Sequence, residues 1–114
     1  LKQEVETQAT ELIAKVLKPK YVQPPPTDSQ FNYITDIAAK WYRQYFYFYS
    51  IYTCPSPHAI SSGFEAKFAR LEFVGDDKFA LSFMRHTGTW FTLYPSLSLN
   101  ECLAAIQNDS WFTP

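Results

Sequence analysis

The chain has 114 residues, 46% hydrophobic and 18% charged, the composition of a globular domain rather than a disordered one. Ten Lys+Arg against eleven Asp+Glu leave a net charge of −1 with no basic block, so the phosphate-neutralising surface of a nucleic-acid binder is missing and no nucleic-acid partner is expected. No run approaches the ~18 apolar residues of a membrane span, and the acidic, Gln-rich start does not read as a secretory signal. The expectation is a cytoplasmic chain with no membrane partner, with Cys54 and Cys102 as free thiols. Leu1 stands where a starting Met would, as in a trimmed chain.

Residues 3–18 place Val5, Ala9, Leu12, Ile13, Val16 and Leu17 at three- and four-residue spacings, the stripe of a helix with one buried face. Pro19 is expected to end it, and Pro24-Pro25-Pro26 then Thr27-Asp28-Ser29 to form a stiff connector over 19–30. From Phe31 to Thr53 there is neither Gly nor Pro, and eight of the twelve residues Trp41 to Tyr52 are aromatic, which favours strand. Trp41–Thr53 reads as one strand whose rings occur at both parities. Both its faces should therefore be covered, by neighbours in the sheet or by a partner chain. Residues 29–40 fit helix or strand, because Phe31, Ile34, Ala38, Trp41 and Tyr45 also fit helical spacing.

Gly63, Gly75 and Gly88 are the only glycines, and no proline lies between Pro57 and Pro95; the stretch reads as an antiparallel meander. A loop His86-Thr87-Gly88, with Gly88 left-handed, pairs Arg85 with Thr89, Phe83 with Phe91 and Leu81 with Leu93. A loop Gly75-Asp76-Asp77 pairs Phe73 with Phe79, Leu71 with Leu81 and Ala69 with Phe83. One face is then apolar until Arg85 at its rim, and that face is the core. Ser98-Leu99-Asn100-Glu101 is a capping box opening a helix over about 99–108, with Leu99, Cys102, Leu103 and Ile106 on one stripe. Trp111-Phe112 should fold back as an anchor.

These elements predict an α+β fold: one domain over 1–114, with an N-terminal helix at 1–18, a connector at 19–30, and over 31–112 an antiparallel sheet of about four strands with a C-terminal helix packed on it. The same register puts rows across the second face of the sheet: Phe68–Met84–Trp90, Arg70–Ser82–Thr92 and Glu72–Ala80–Tyr94. Rings, a methionine and an Arg/Glu pair suit binding of a protein partner or a second copy. The plainer alternative has the N-terminal helix covering this face while the C-terminal helix covers the other. Candidate binding residues are Arg70, Met84, Arg85, His86, Trp90 and Tyr94. For Arg85 the plainer assignment is an ion pair with Glu65 or Glu101, and for His86 a turn residue.

No catalytic residue is assigned and no cofactor is expected. Cys54, His58, His86 and Cys102 are the only Cys and His residues; no CxxC spacing supports a metal site, and Cys54 lacks an orienting third group for nucleophilic work. Asp76 and Asp77 are turn formers, and three isolated glycines make no phosphate loop.

Lys40-Trp41-Tyr42-Arg43, Tyr45-Phe46-Tyr47-Phe48, Phe64-Glu65-Ala66-Lys67-Phe68-Ala69-Arg70-Leu71-Glu72, Phe83-Met84-Arg85-His86-Thr87-Gly88 and Leu97-Ser98-Leu99-Asn100-Glu101-Cys102-Leu103 resemble a family of small uncharacterised bacterial, largely cyanobacterial, proteins of unknown function. More distantly, 79–108 resembles another bacterial domain of unknown function whose hairpin reads Trp-Met-Arg, turn, Trp. The likeness spans about residues 31–112 and implies one domain of bacterial origin, with no activity to carry over. The function expected is a non-catalytic protein-interaction or self-association module; the alternative is a small-molecule-binding or enzymatic site around the 85–90 hairpin.

Overall fold

The computed structural model describes residues 2–22, 33–53, 63–85 and 87–114. The 19–30 connector beyond Val22, the Cys54–His58 pair and His86 lie outside them. Helix α1 (Lys2–Leu12) runs into a π-helical turn (Ile13–Leu17) and a last α-helical turn, α2 (Lys18–Tyr21). Five strands follow: β1 (Tyr33–Tyr42), β2 (Tyr45–Thr53), β3 (Gly63–Gly75), β4 (Lys78–Met84) and β5 (Trp90–Ser98). Helix α3 (Leu99–Asn108) and a 3-10 turn (Ser110–Phe112) complete the chain. The strands form one antiparallel meander in chain order.

Pro19 does not end the first helix. Proline removes a donor and crowds the carbonyl four residues back. The π turn before it widens the spiral, so that the Lys18 N–H reaches the Ile13 carbonyl and the helix continues to Tyr21. The sheet likewise has five strands, not four. Residues 41–53 are not one strand: Trp41 and Tyr42 finish β1, Arg43 and Gln44 turn, and Tyr42 pairs with Tyr45. Arg43 carries the turn at φ 57° without the glycine that usually marks one. The ring-rich run is thus two adjacent antiparallel strands, and the strand alternative holds for 33–40.

The later turns follow their chemistry. Phe73–Phe79, Leu71–Leu81 and Ala69–Phe83 pair as expected, although the tight part of the loop is Asp76-Asp77, both left-handed at φ 51° and 55°. Gly88 is left-handed at φ 84°, the Arg85 N–H donates to the Thr89 carbonyl at 2.9 Å, and Phe83 faces Phe91. A bulge then shifts β5, so that Leu81 faces Tyr94 rather than Leu93.

Both helices lie on one face of the sheet. Val5, Ala9, Ile13 and Leu17 share a single core with Ile37, Phe46, Phe48, Leu71, Phe79, Leu81, Leu99, Cys102, Ile106 and Phe112. An amphipathic stripe says that a helix buries one side, not against which face of a sheet. The arrangement with one helix on each face is therefore overturned, and no described helix covers the second face. At the start of α3 the Glu101 N–H donates to Ser98 Oγ at 3.2 Å and the Ser98 N–H to Glu101 Oε1 at 3.0 Å, the capping box in full.

Candidate functional site

The uncovered face is largely clothed by its own cations. The Arg70 guanidinium lies between two rings, 4.3 Å from the Tyr45 centroid and 4.9 Å from that of Trp90. Lys67 sits 5.1 Å over Tyr47, and Lys40 4.6 Å over Tyr49 while bonding Glu65 at 3.1 Å. Tyr47 and Trp90 meet at 5.6 Å, and Tyr47 is only 9% exposed. Each cation satisfies a ring's negative face while its aliphatic stem covers apolar area. Arg70 faces Ser82, and the Ser82 and Thr92 hydroxyls bond at 3.0 Å, so that row holds; Met84 and Trp90 are also opposite.

Two expected members of the face turn away from it. A bulge between Phe48 and Tyr49 leaves Phe68 without a partner in β2 and drives its ring into the core, 6.2 Å from Phe48. The β5 bulge removes Tyr94 from the Glu72–Ala80 row. Its hydroxyl donates to Asp109 Oδ2 at 2.9 Å, and that hydrogen bond, which holds the phenolic proton, raises the Tyr94 pKa. Tyr94 is thus committed to holding the chain after α3, and Arg70 to bridging two rings.

Arg85 is on the opposite side. Its side chain lies over Phe91, 5.6 Å from the centroid. Neither expected carboxylate reaches it, since Glu65 bonds Lys40 and Glu101 is spent in the capping box. A cavity of about 570 Å³ opens beside it, lined by Phe83, Met84, Arg85, Phe91, Leu93, Ser110 and Trp111. Its walls are apolar apart from the guanidinium and Ser110. Phe91 is 45% exposed and Trp111 59% exposed, and both rings lean on Phe83, at 5.6 and 4.9 Å. Of the terminal pair only Phe112 is a buried anchor. The 3-10 turn that seats it, with the Trp111 N–H donating to Asp109 Oδ1 at 3.2 Å, pushes Trp111 outward. Of the six candidate residues, the structure puts Arg85 on this cavity, keeps Arg70, Met84 and Trp90 together on the other face with Met84 also bordering the cavity rim, and sets Tyr94 apart. Phe91, Leu93 and Trp111 were not singled out from the sequence, because apolar residues at core parity read as buried.

The cavity rim is also the sheet's β5 edge, and the two edges differ. On β1 a bulge falls between Ile34 and Asp36. Asp36 accepts from its neighbour's N–H (Ile37) and pairs with Lys18 at 3.0 Å, and Lys40 follows, which together blunt that edge. On β5 the run Trp90-Phe91-Thr92-Leu93-Tyr94 carries no charge before Pro95. Because Arg85 and Thr89 form a hydrogen-bonded pair, alternation makes Phe83–Phe91 another, and the main-chain groups of Trp90 and Thr92 face away from β4. No described strand lies beyond them.

Nucleophilic and metal chemistry gain no geometry here. Burial pushes the Cys102 thiol up to about 12, the state of an inert core residue. Among the described residues no three of His, Cys, Asp and Glu converge, and no helix is long and apolar enough to cross a membrane. Comparison with the curated proteins and with the solved structures gave no match. A family model described as a domain of unknown function, DUF3024, matches residues 1–114; the chain belongs to that family.

Proposed function

We propose that the chain is a non-catalytic protein-interaction module that receives an extended segment of a partner protein along the β5 edge. The observation that carries this reading is the asymmetry of charge between the two sheet edges: both strands are bulged, but the β1 edge carries Asp36 and Lys40, while the β5 edge is uncharged over five residues. Beside the uncharged edge, Phe91 and Trp111 remain exposed around an apolar cavity. Adding a strand supplies main-chain hydrogen bonds to the outward groups of Trp90 and Thr92, and alternate side chains of the segment enter the cavity. The self-capped aromatic face supports this choice by offering less bare ring surface.

The test is selection of binders from a random linear peptide library, with affinities read by fluorescence anisotropy. Binders should lose affinity at least tenfold in Phe91→Ser and in Trp111→Ala, and keep it in Tyr49→Ala on the other face. No selected binder, or binders that ignore both substitutions, would overturn the reading.

The cavity alone favours a second reading, a small-molecule seat at the 85–90 hairpin, since about 570 Å³ falls within the range of ligand pockets. A fragment screen by ligand-observed NMR distinguishes the two: small apolar acids held at the cavity with no peptide bound would favour the seat.

A further inference from the structure

Arg85 has a fixed main chain and an unspent side chain. Its N–H donates to the Thr89 carbonyl and its carbonyl accepts from the Gly88 N–H, both at 2.9 Å. The guanidinium forms no ion pair with any described residue and rests against the Phe91 ring. The five donors of an arginine fork match a carboxylate in a two-pronged geometry. The apolar cavity thus has one permanent charge, placed where the β4–β5 hairpin closes.

Position turns this into a statement about the ligand. Arg85 is level with Thr89, just before β5 begins at Trp90. An added strand that runs antiparallel to β5 travels from Tyr94 toward Trp90 and ends level with Arg85 but across β5 from it; the guanidinium, over the Phe91 ring, already lies above β5. Side chains facing the helix side of that strand pass Leu93 and Phe91, the residues that line the cavity. Pro95 has no N–H to offer, so the usable edge is the short stretch before it. An extended ligand of about five residues, at ~3.4 Å each, spans that stretch.

Resting on the strand-receiving reading above, we infer that the β5 edge captures the free C-terminus of a partner chain. Arg85 binds the terminal carboxylate, and a large apolar side chain at or next to the last position fills the cavity between Phe91, Leu93 and Trp111. An Asp or Glu side chain carries the same carboxylate chemistry, but it would have to reach past the edge from within a continuing strand. A chain end brings its carboxylate in line with the main chain, level with Arg85.

The experiment uses a set of synthetic hexapeptides with varied apolar final residues, each made as the free acid and as the C-terminal amide, and titrated against the full chain by fluorescence anisotropy. The expected result is binding by free acids with large apolar ends, weakened at least tenfold by amidation. Arg85→Ala should bring acid and amide to the same affinity, and Arg85→Lys should restore part of the difference. Phe91→Ser should weaken both forms together. Equal binding of acids and amides, with Phe91→Ser still harmful, would overturn the carboxylate inference and leave the strand-receiving reading standing. No binding by either form would overturn both. An acid preference that survives Arg85→Ala would also overturn the assignment, and a concentration-dependent dimer broken by Phe91→Ser would give the edge to a second copy instead.

Discussion

Phe112→Ala tests how the cavity wall is held. The ring is fully buried and stands edge-on to Phe83 at 6.3 Å, and the turn carrying it is tied to the sheet by Tyr94 and Asp109. Truncation of a buried Phe costs about 3–5 kcal/mol when the surroundings cannot collapse. Here the segment lies after the last helix and can peel away on its own, which limits the loss to what the docked turn contributes; about 3 kcal/mol, at the low end of that range, is expected. With a urea slope of ~1–3 kcal/mol/M, the unfolding midpoint should fall by about 1–3 M. Trp111→Ala, which removes a mostly exposed ring, should cost below ~1 kcal/mol in the same titration. Equal costs for the two substitutions, or a loss below ~1 kcal/mol for Phe112→Ala, would refute the docked-turn geometry.

Ser98→Ala removes half of the capping box and should cost about 0.5–2 kcal/mol in urea unfolding, with Ser98→Asp retaining most of the stability. Ser50 is fully buried and its hydroxyl has no hydrogen-bond partner among the described residues, so Ser50→Ala should leave stability unchanged or raise it by about 1 kcal/mol; a clear loss in thermal unfolding would mean that the hydroxyl is satisfied. In a Cys54→Ser background, Cys102 should resist a thiol-specific chromogenic disulfide at pH 8 until the protein is unfolded, since burial holds the thiol protonated. The hydrogen bond and charge of Lys18 hold the Asp36 carboxyl below its usual pKa. Its contribution to stability is therefore full above the unfolded value of about 3.9 and is lost as pH falls through the lower folded value. With both side chains nearly half exposed, that contribution is below ~1 kcal/mol. Lys18→Ala should remove it near neutral pH and have no effect in strong acid.

The register of β3 on β4, and of β4 on β5 as far as Ser82–Thr92, was legible because two turns carried unmistakable chemistry, Gly75-Asp76-Asp77 and Thr87-Gly88, and because only one loop length put the apolar residues on one face. The capping box Ser98–Glu101 was legible for the same local reason. The Arg43-Gln44 turn was not: neither residue advertises a positive φ, and the aromatic run passes through it unbroken. The bulges beside Phe68 and Leu93 were equally hidden, since an alternation pattern shows no extra residue until strands are paired. Those two residues decided the site. They moved Phe68 into the core and Tyr94 onto Asp109, which left the second face thinner in bare rings than the regular register implied. The side on which α1 packs depends on contacts far apart in the chain, so its stripe could not show that both helices would share one face. Trp111 could not be told from Phe112 because the 3-10 turn that separates their directions depends on the Asp109 cap.

On the strand-receiving reading, a partner strand bonds to the outward main-chain groups of β5. Amide hydrogen exchange of the full chain, with and without a saturating library-selected peptide, reads those groups directly. The Trp90 and Thr92 amides should exchange quickly alone and slow at least tenfold in the complex, while the amides of β1 should not change. Protection confined to β1 or to the β2–β3 region, with Trp90 and Thr92 untouched, would contradict it.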